Sequence, residues 1–246
     1  MTTNTLTLKL KRSNDRKVAN LVTKNGKQAA IANTFGLPAG KAFSCPGATS
    51  VCESVCYAGK LEKLFPGVKT NLLHNWDLLK DADGETMVRL LNEMISDFKA
   101  DCVKKNAPML FRIHWDGDFF NDTYAYAWRI VIDKHSDVQF WVYTRVKSAA
   151  LILKDVSNLS LYFSADSENV KTAIDLKINS GVRMAYLAKN FAIGQADVKE
   201  ITGRPAAKCP ENNKQIPLIS TNGSACVSCS LCVYSKSDII FSASKK

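Results

Sequence analysis

The sequence predicts a single α/β domain built on a parallel sheet, and three observations lead there. Short apolar runs alternate with helical tracts through the middle of the chain, and strands separated by such helices return in one direction through right-handed crossovers. The 246 residues, 46% of them hydrophobic, suffice for one sizeable core. Polar and charged residues gather just after the strands, where parallel α/β sheets carry their chemistry.

The first expected strand is Gln28 to Asn33, an apolar run ending in the turn-rich Thr34-Phe35-Gly36-Leu37-Pro38-Ala39-Gly40. Helices are expected over 69–79 and 85–104. In the second, Met87, Leu90, Leu91, Met94, Ile95 and Phe98 recur at helical spacing, and Asp81-Ala82-Asp83-Gly84 separates the two. From there the pattern alternates: strand 109–114, helix 122–134, strand 138–144, helix 148–154, strand 159–164, helix 170–178, strand 182–187, and a short helical piece at 197–201. The chain thus divides into a basic N-terminal arm (1–26), an α/β core (27–204) and a Cys-rich C-terminal segment (205–246) packed on the core.

Seven of the eight cysteines fall in two groups at opposite ends of the chain. In the second, Cys226, Cys229 and Cys232 form a C-x2-C-x2-C run, the spacing by which a short loop wraps three corners of a cubane iron-sulfur cluster, and Cys209 supplies a distant fourth thiolate. Zinc is the competitor, but structural zinc sites usually grip the metal between two separate knuckles, which this segment lacks. Disulfides are a third possibility. The start, Met1-Thr2-Thr3-Asn4-Thr5-Leu6-Thr7-Leu8, has neither the basic residues nor the apolar stretch of a signal peptide, so a reducing cytosol is the expected compartment. Cys45, Cys52 and Cys56 lie among Pro, Gly, Ser and Thr in what reads as a loop. Three thiolates leave one iron of a cubane open to a small anion, a thiol, a water or a substrate; buried hydrophobic cysteines are the bland alternative. Cys102, alone at the end of a helical stretch, reads as a core residue.

Lys and Arg number 33 against 23 Asp and Glu, a formal charge of +10 that favours acidic partners. The densest basic patch is Lys9, Lys11, Arg12, Arg16 and Lys17, followed by the Lys245-Lys246 tail, and no nucleic-acid motif accompanies them. No window reaches the apolar length of a membrane span.

Three strand ends carry the remaining candidates: Arg112-Ile113-His114-Trp115-Asp116-Gly117-Asp118, then Tyr143-Thr144-Arg145, then Ser164-Ala165-Asp166-Ser167-Glu168. Each alone could be a turn, a helix cap or a surface charge, with Asp122 the better cap for the following helix. Three in succession point to a shared pocket.

The string from Arg112 to Phe120, with Tyr124, Ala127-Trp128 and Phe140 to Arg145, resembles the core signature of the bacteriophage "gene product 88" family. So do Ser44-Cys45-Pro46-Gly47-Ala48, Cys56-Tyr57-Ala58, Cys209-Pro210-Glu211 and the closing C-x2-C-x2-C, over about residues 27–241. The resemblance implies a phage-encoded iron-sulfur protein in the cytoplasm of an infected bacterial host. More distantly, the layout is similar to the radical S-adenosylmethionine enzymes. There a three-cysteine loop follows the first strand of a partial (β/α) barrel, and a glycine-acid motif after the next strand holds the methionyl amine. The spacing here, C-x6-C-x3-C, differs from the usual C-x3-C-x2-C. That similarity implies a partial barrel with parallel strands and a Cys-rich tail, cofactor contacts at Gly117, Asp118 and Tyr57, and S-adenosylmethionine as a candidate ligand.

The expectation is therefore one or two 4Fe-4S clusters held by Cys45, Cys52, Cys56, Cys209, Cys226, Cys229 and Cys232. Redox or radical chemistry would be assisted by His114, Asp118, Arg145 and Asp166, with a small molecule or anion at the open iron and a host electron donor as partner. The alternative is a zinc-stapled protein that binds nucleic acid through its basic charge without catalysis.

Overall fold

The computed structural model describes residues 8–235 and 237–244; Lys245, Lys246 and the first seven residues of the basic arm lie outside them. Asn20–Val22 (β1) and Gln28–Ala30 (β2) form an antiparallel hairpin, and Thr34–Gly36 (β3) opens the main sheet. Four helices follow: Ser50–Val55 (α1), Tyr57–Leu64 (α2), Pro66–Leu79 (α3) and Gly84–Lys105 (α4). Strands and helices then alternate as Leu110–Asp116 (β4), Asp122–Lys134 (α5), Gln139–Thr144 (β5), Lys147–Leu153 (α6), Leu159–Ala165 (β6), Val170–Ser180 (α7), Arg183–Ala188 (β7) and Phe191–Thr202 (α8). The remainder is Ala207–Lys208 (β8), Ile219–Ser220 (β9), Gly223–Ser224 (β10), Ala225–Cys229 (α9) and Ile239–Ser242 (β11).

The main sheet has seven strands in the order β3-β4-β5-β6-β7-β11-β8, every neighbouring pair parallel. Because β3 to β7 sit side by side in chain order, right-handed crossovers of one sense put their helices on one face. Accordingly α4 packs beside α5, and α5 beside α6. Phe111 and Phe140 point into this helical layer, where Phe111 meets Phe98 of α4 and Trp128 of α5 at ring distances of 5.1 and 6.4 Å. The alternate residues face the other way. There Arg112 lies 5.6 Å over the ring of Tyr143, whose ring is 5.5 Å from that of Tyr162. The C-terminal segment covers this second face: Ser160 Oγ and Gln139 Nε2 both donate to the Val233 carbonyl, and Tyr162 Oη donates to those of Leu231 and Ser237.

The expected parallel α/β architecture is thus present. The sheet is open, with β3 and β8 at its edges. Gln28–Ala30 is not the first parallel strand but half of the hairpin; that strand is β3, inside the expected turn-rich stretch. Half of the cysteine stretch 45–56 is helix, Ser50–Val55 with Cys52 inside it, while Cys45 lies in a turn-rich loop and Cys56 caps the helix end. The basic arm joins the core through buried Leu10, Val18 and Leu21, and the C-terminal segment contributes β8 and β11 to the sheet itself. Asn121 rather than Asp122 caps α5, its Oδ1 accepting from Tyr124 N at 2.8 Å. Cys102 is fully buried, as expected. Among the described residues no helix is long and apolar enough to cross a membrane.

Candidate functional site

The four C-terminal cysteines line one small pocket, with Pro210, Ile216, Leu231 and Ile239 among its other walls. Each thiol is set by a short local element. Strand β8 delivers Cys209, whose N–H donates to the Ile240 carbonyl at 2.9 Å. Helix α9 carries Cys226 in its first turn and Cys229 at its end, and Ser230 then takes a left-handed conformation (φ 57°) that turns the chain toward Cys232. The Cys226 N–H donates to the Lys17 carbonyl, tying the site to the N-terminal arm.

Burial pushes the Cys226 and Cys232 thiols up to about 12 and raises that of Cys209. Their neighbours add to this, Cys232 and Cys209 beside Cys226, and Cys209 and Cys229 beside Cys232. As free thiols these groups are therefore protonated at neutral pH, and a metal must displace the protons. Among the described residues no three His, Cys, Asp or Glu side chains form a group fit to hold one metal ion. What these four cysteines share is a cavity wall.

The N-terminal cysteines lie at the carboxyl ends of β3 to β6. Ser44 anchors their segment, donating from Oγ to the Pro38 carbonyl at 2.7 Å and accepting from Asp118 N at 3.3 Å. Thr49 caps α1 by accepting from Cys52 N at 3.0 Å. Cys56 ends α1, and its sulfur accepts from Gly59 N at 3.3 Å, capping α2. Two glycines permit this packing. A Cβ on Gly47 would lie 2.6 Å from the Arg145 carbonyl oxygen, and one on Gly117 (φ 80°) would collide with Ser44 Oγ.

Around these cysteines the structure gathers three of the four expected catalytic side chains. Arg145 Nη1 donates to Asp166 Oδ2 at 2.7 Å and to Thr49 Oγ1 at 3.3 Å, and the pair is buried. Asp118 accepts from Thr144 Oγ1 at 2.6 Å, Phe119 N at 2.7 Å and Arg145 N at 2.7 Å. Burial still raises its pKa to about 6, since these donors offset only part of the desolvation. Burial, reinforced by the Asp118 charge, pushes the Cys45 thiol up to about 12; burial also raises Cys52, which the Arg145 guanidinium pulls back down.

His114 is not among them. It adopts φ 55°, which turns its ring out of the strand alternation and into the helical layer, against Phe119 and Trp128. Its Nε2 pairs with Tyr124 Oη at 2.9 Å, and burial lowers its pKa to about 3, so it stays neutral in the core. Gly117 serves the close approach to Ser44, and Tyr57 Oη donates to the Trp115 carbonyl at 2.8 Å.

Two arrangements were not foreseen. Arg112 pairs with Asp15 at 2.8 Å, both largely buried, on the face that carries the C-terminal cysteines. Glu62 stands beside Asp116, and burial, with that neighbouring charge, pushes Asp116 up to about 8. Neither partner carries a sequence signal, because Asp15 and Glu62 reach the sheet from distant segments. Three of the five cations of the basic patch are paired within the molecule, Lys9 with Asp97, Arg12 with Asp101 and Lys17 with Glu211.

Residues 8–235 match the gene product 88 family. The chain is 53% identical over 243 residues to the "Gene 88 protein" of Mycobacterium phage L5, covering 97% of this chain and 99% of that protein. It is 54% identical over 243 residues to the "Gene 88 protein" of Mycobacterium phage D29, covering 96% and 99%. No solved structure gives a significant match. A family match across nearly the whole chain, with full-length relatives at this identity, establishes that the chain belongs to the gene product 88 family of bacteriophage proteins.

Proposed function

We propose that the protein binds a 4Fe-4S cluster through Cys209, Cys226, Cys229 and Cys232, and a second, with one iron open, through Cys45, Cys52 and Cys56. The observation that carries this reading is the convergence of four thiols on the wall of one largely apolar pocket, with Cys226 and Cys229 on α9 and Cys232 just past the Ser230 turn. A cubane with four thiolate corners suits that donor set better than one zinc ion does. When bound, such clusters supply one-electron redox chemistry.

The chain's own residues would do the rest. Ligand exchange removes protons from the buried thiols. The Arg145 charge favours the thiolate at Cys52. Arg145, held by Asp166 and Thr49, keeps further guanidinium donors for a small anion or carboxylate at the open iron, S-adenosylmethionine included. Asp118 acts by fixing the Thr144-Arg145 turn, its oxygens already accepting three hydrogen bonds, and so is not the free amine-binding carboxylate that the radical S-adenosylmethionine layout implied. His114 takes no part. The intramolecular pairing of Lys9, Arg12 and Lys17 weighs against a nucleic-acid surface on the arm.

Anaerobic purification followed by iron, sulfide and zinc analysis tests the proposal. Brown protein with iron and acid-labile sulfide in about equal amounts is expected for cubanes. Colourless protein carrying stoichiometric zinc would overturn it.

A further inference from the structure

We infer that Arg112 sets the charge at the C-terminal cysteine site, with Asp15 opposing it, so that the pair fixes the reduction potential of whatever cluster the four thiols hold; this rests on the reading above. Arg112 projects from the middle of β4 away from the helical layer, toward the face that the C-terminal segment covers. Its side chain is only 12% exposed and that of Asp15 only 14%. Nη1 reaches Asp15 Oδ2 at 2.8 Å, while the guanidinium lies 5.6 Å from the centre of the Tyr143 ring. The Nε–H is buried with no partner among the described residues.

The same short segment holds both the charge and a ligand. Asp15 fixes Arg112, and two residues on the Lys17 carbonyl accepts the Cys226 N–H. The Arg112 charge is felt at Cys226 and Cys232, and Asp15 acts on Cys226 in the opposite sense. This partnerless guanidinium N–H, on a side chain whose charge reaches Cys226 and Cys232, is an unmet donor that the sulfurs of a bound cluster would satisfy. Reduction adds a negative charge to the cluster. A buried guanidinium stabilises that added charge more than water would, and hydrogen bonds and net charge around the sulfurs are what set such potentials.

The test is a redox titration, followed by paramagnetic resonance, of the full chain prepared anaerobically as wild type, Arg112→Gln and Asp15→Asn. The relevant signal is the one absent from Cys226→Ala. Arg112→Gln should lower the reduced-to-oxidised ratio at a fixed potential by about tenfold, equivalent to about 59 mV for one electron. Asp15→Asn, which keeps the Oδ1 that accepts from Lys17 N, should raise it. Opposite shifts are what a charge effect requires, whereas disordered packing has no reason to change sign. Midpoints that do not move, or that move the same way, in iron-replete variants overturn the inference. If Arg112→Gln loses its iron, Asp15→Asn decides alone, and an unmoved midpoint there overturns it. Wild-type protein without iron would instead remove the cluster reading itself.

Discussion

The acidic residues at the strand ends meet three different fates, decided by what each oxygen finds within hydrogen-bond reach. Asp166 is neutralised by Arg145, Asp118 is held by three donors, and Asp116 faces another carboxylate, Glu62. Burial outweighs the donors at Asp118, whose pKa rises to about 6, and the last arrangement is the least favourable to charge. Asp116 accepts one hydrogen bond, from Gly117 N at 2.8 Å, and its Oδ2 has no hydrogen-bond donor among the described residues. Its pKa therefore climbs from 3.8 to about 8. A carboxyl whose folded value is raised contributes stability that is full below the unfolded value and is lost as pH rises through the folded one. The window here runs from about pH 4 to about pH 8. Asp116→Asn keeps the Oδ1 acceptor and cannot ionise. Its unfolding free energy should fall less steeply with pH across that window, by up to about 1.4 kcal/mol per pH unit. Urea unfolding at several pH values checks this, and parallel curves for variant and wild type would show that Asp116 carries no such load.

Elements with a strong period were legible in the sequence, and those made by caps and close approaches were not. Helix α4 announces itself through Met87, Leu90, Leu91, Met94, Ile95 and Phe98, all buried, and β4 to β7 stand within two residues of their expected bounds. Strand β3 is three buried residues beside Pro38 and Gly40, where composition says turn. Helices α1 and α2 have almost no buried apolar stripe; their ends are set by Thr49 and by the sulfur of Cys56, which no hydrophobic pattern reports. At the candidate site, the gathering of Asp118, Arg145 and Asp166 beside Cys45 and Cys52 followed from strand-end logic. His114 escaped that logic because one positive φ turned it to the opposite face. Gly47 shows how much depends on such local geometry. Its missing Cβ lets the cysteine segment lie on the Arg145 carbonyl, a rigid backbone atom that cannot move aside as a side-chain tip could. Gly47→Ala should cost on the order of 1–3 kcal/mol in denaturant unfolding. An unchanged midpoint would mean the two segments are not in contact in solution.

At the scale of the whole molecule, the sheet separates two kinds of order. One face is covered by helices that pack on a continuous apolar core, which needs no metal to hold it. The other is covered by a segment with little structure of its own: β9 and β10 have two residues each and α9 has five. Its anchors on the sheet are buried Ala225 and Val233 and the hydrogen bonds that Gln139 and Ser160 donate to the Val233 carbonyl and Tyr162 to those of Leu231 and Ser237. Those contacts are few for a stretch that must remain ordered between β8 and β11, so thiolate ligation would supply much of its stability, as structural metals do in small domains that lack a core. Replacing Cys226, Cys229 or Cys232 singly with Ala should therefore lower iron content and, in the same proteins, speed proteolysis after Pro205. Cys102→Ala is the control: it removes a thiol from the helical layer, 0% exposed and remote in role, and should leave both readouts near wild type. Iron and proteolysis must move together, because one cause underlies both. If all three variants kept full iron, these cysteines would not be ligands. If iron fell while the segment stayed as resistant as before, its order would come from the sheet contacts alone.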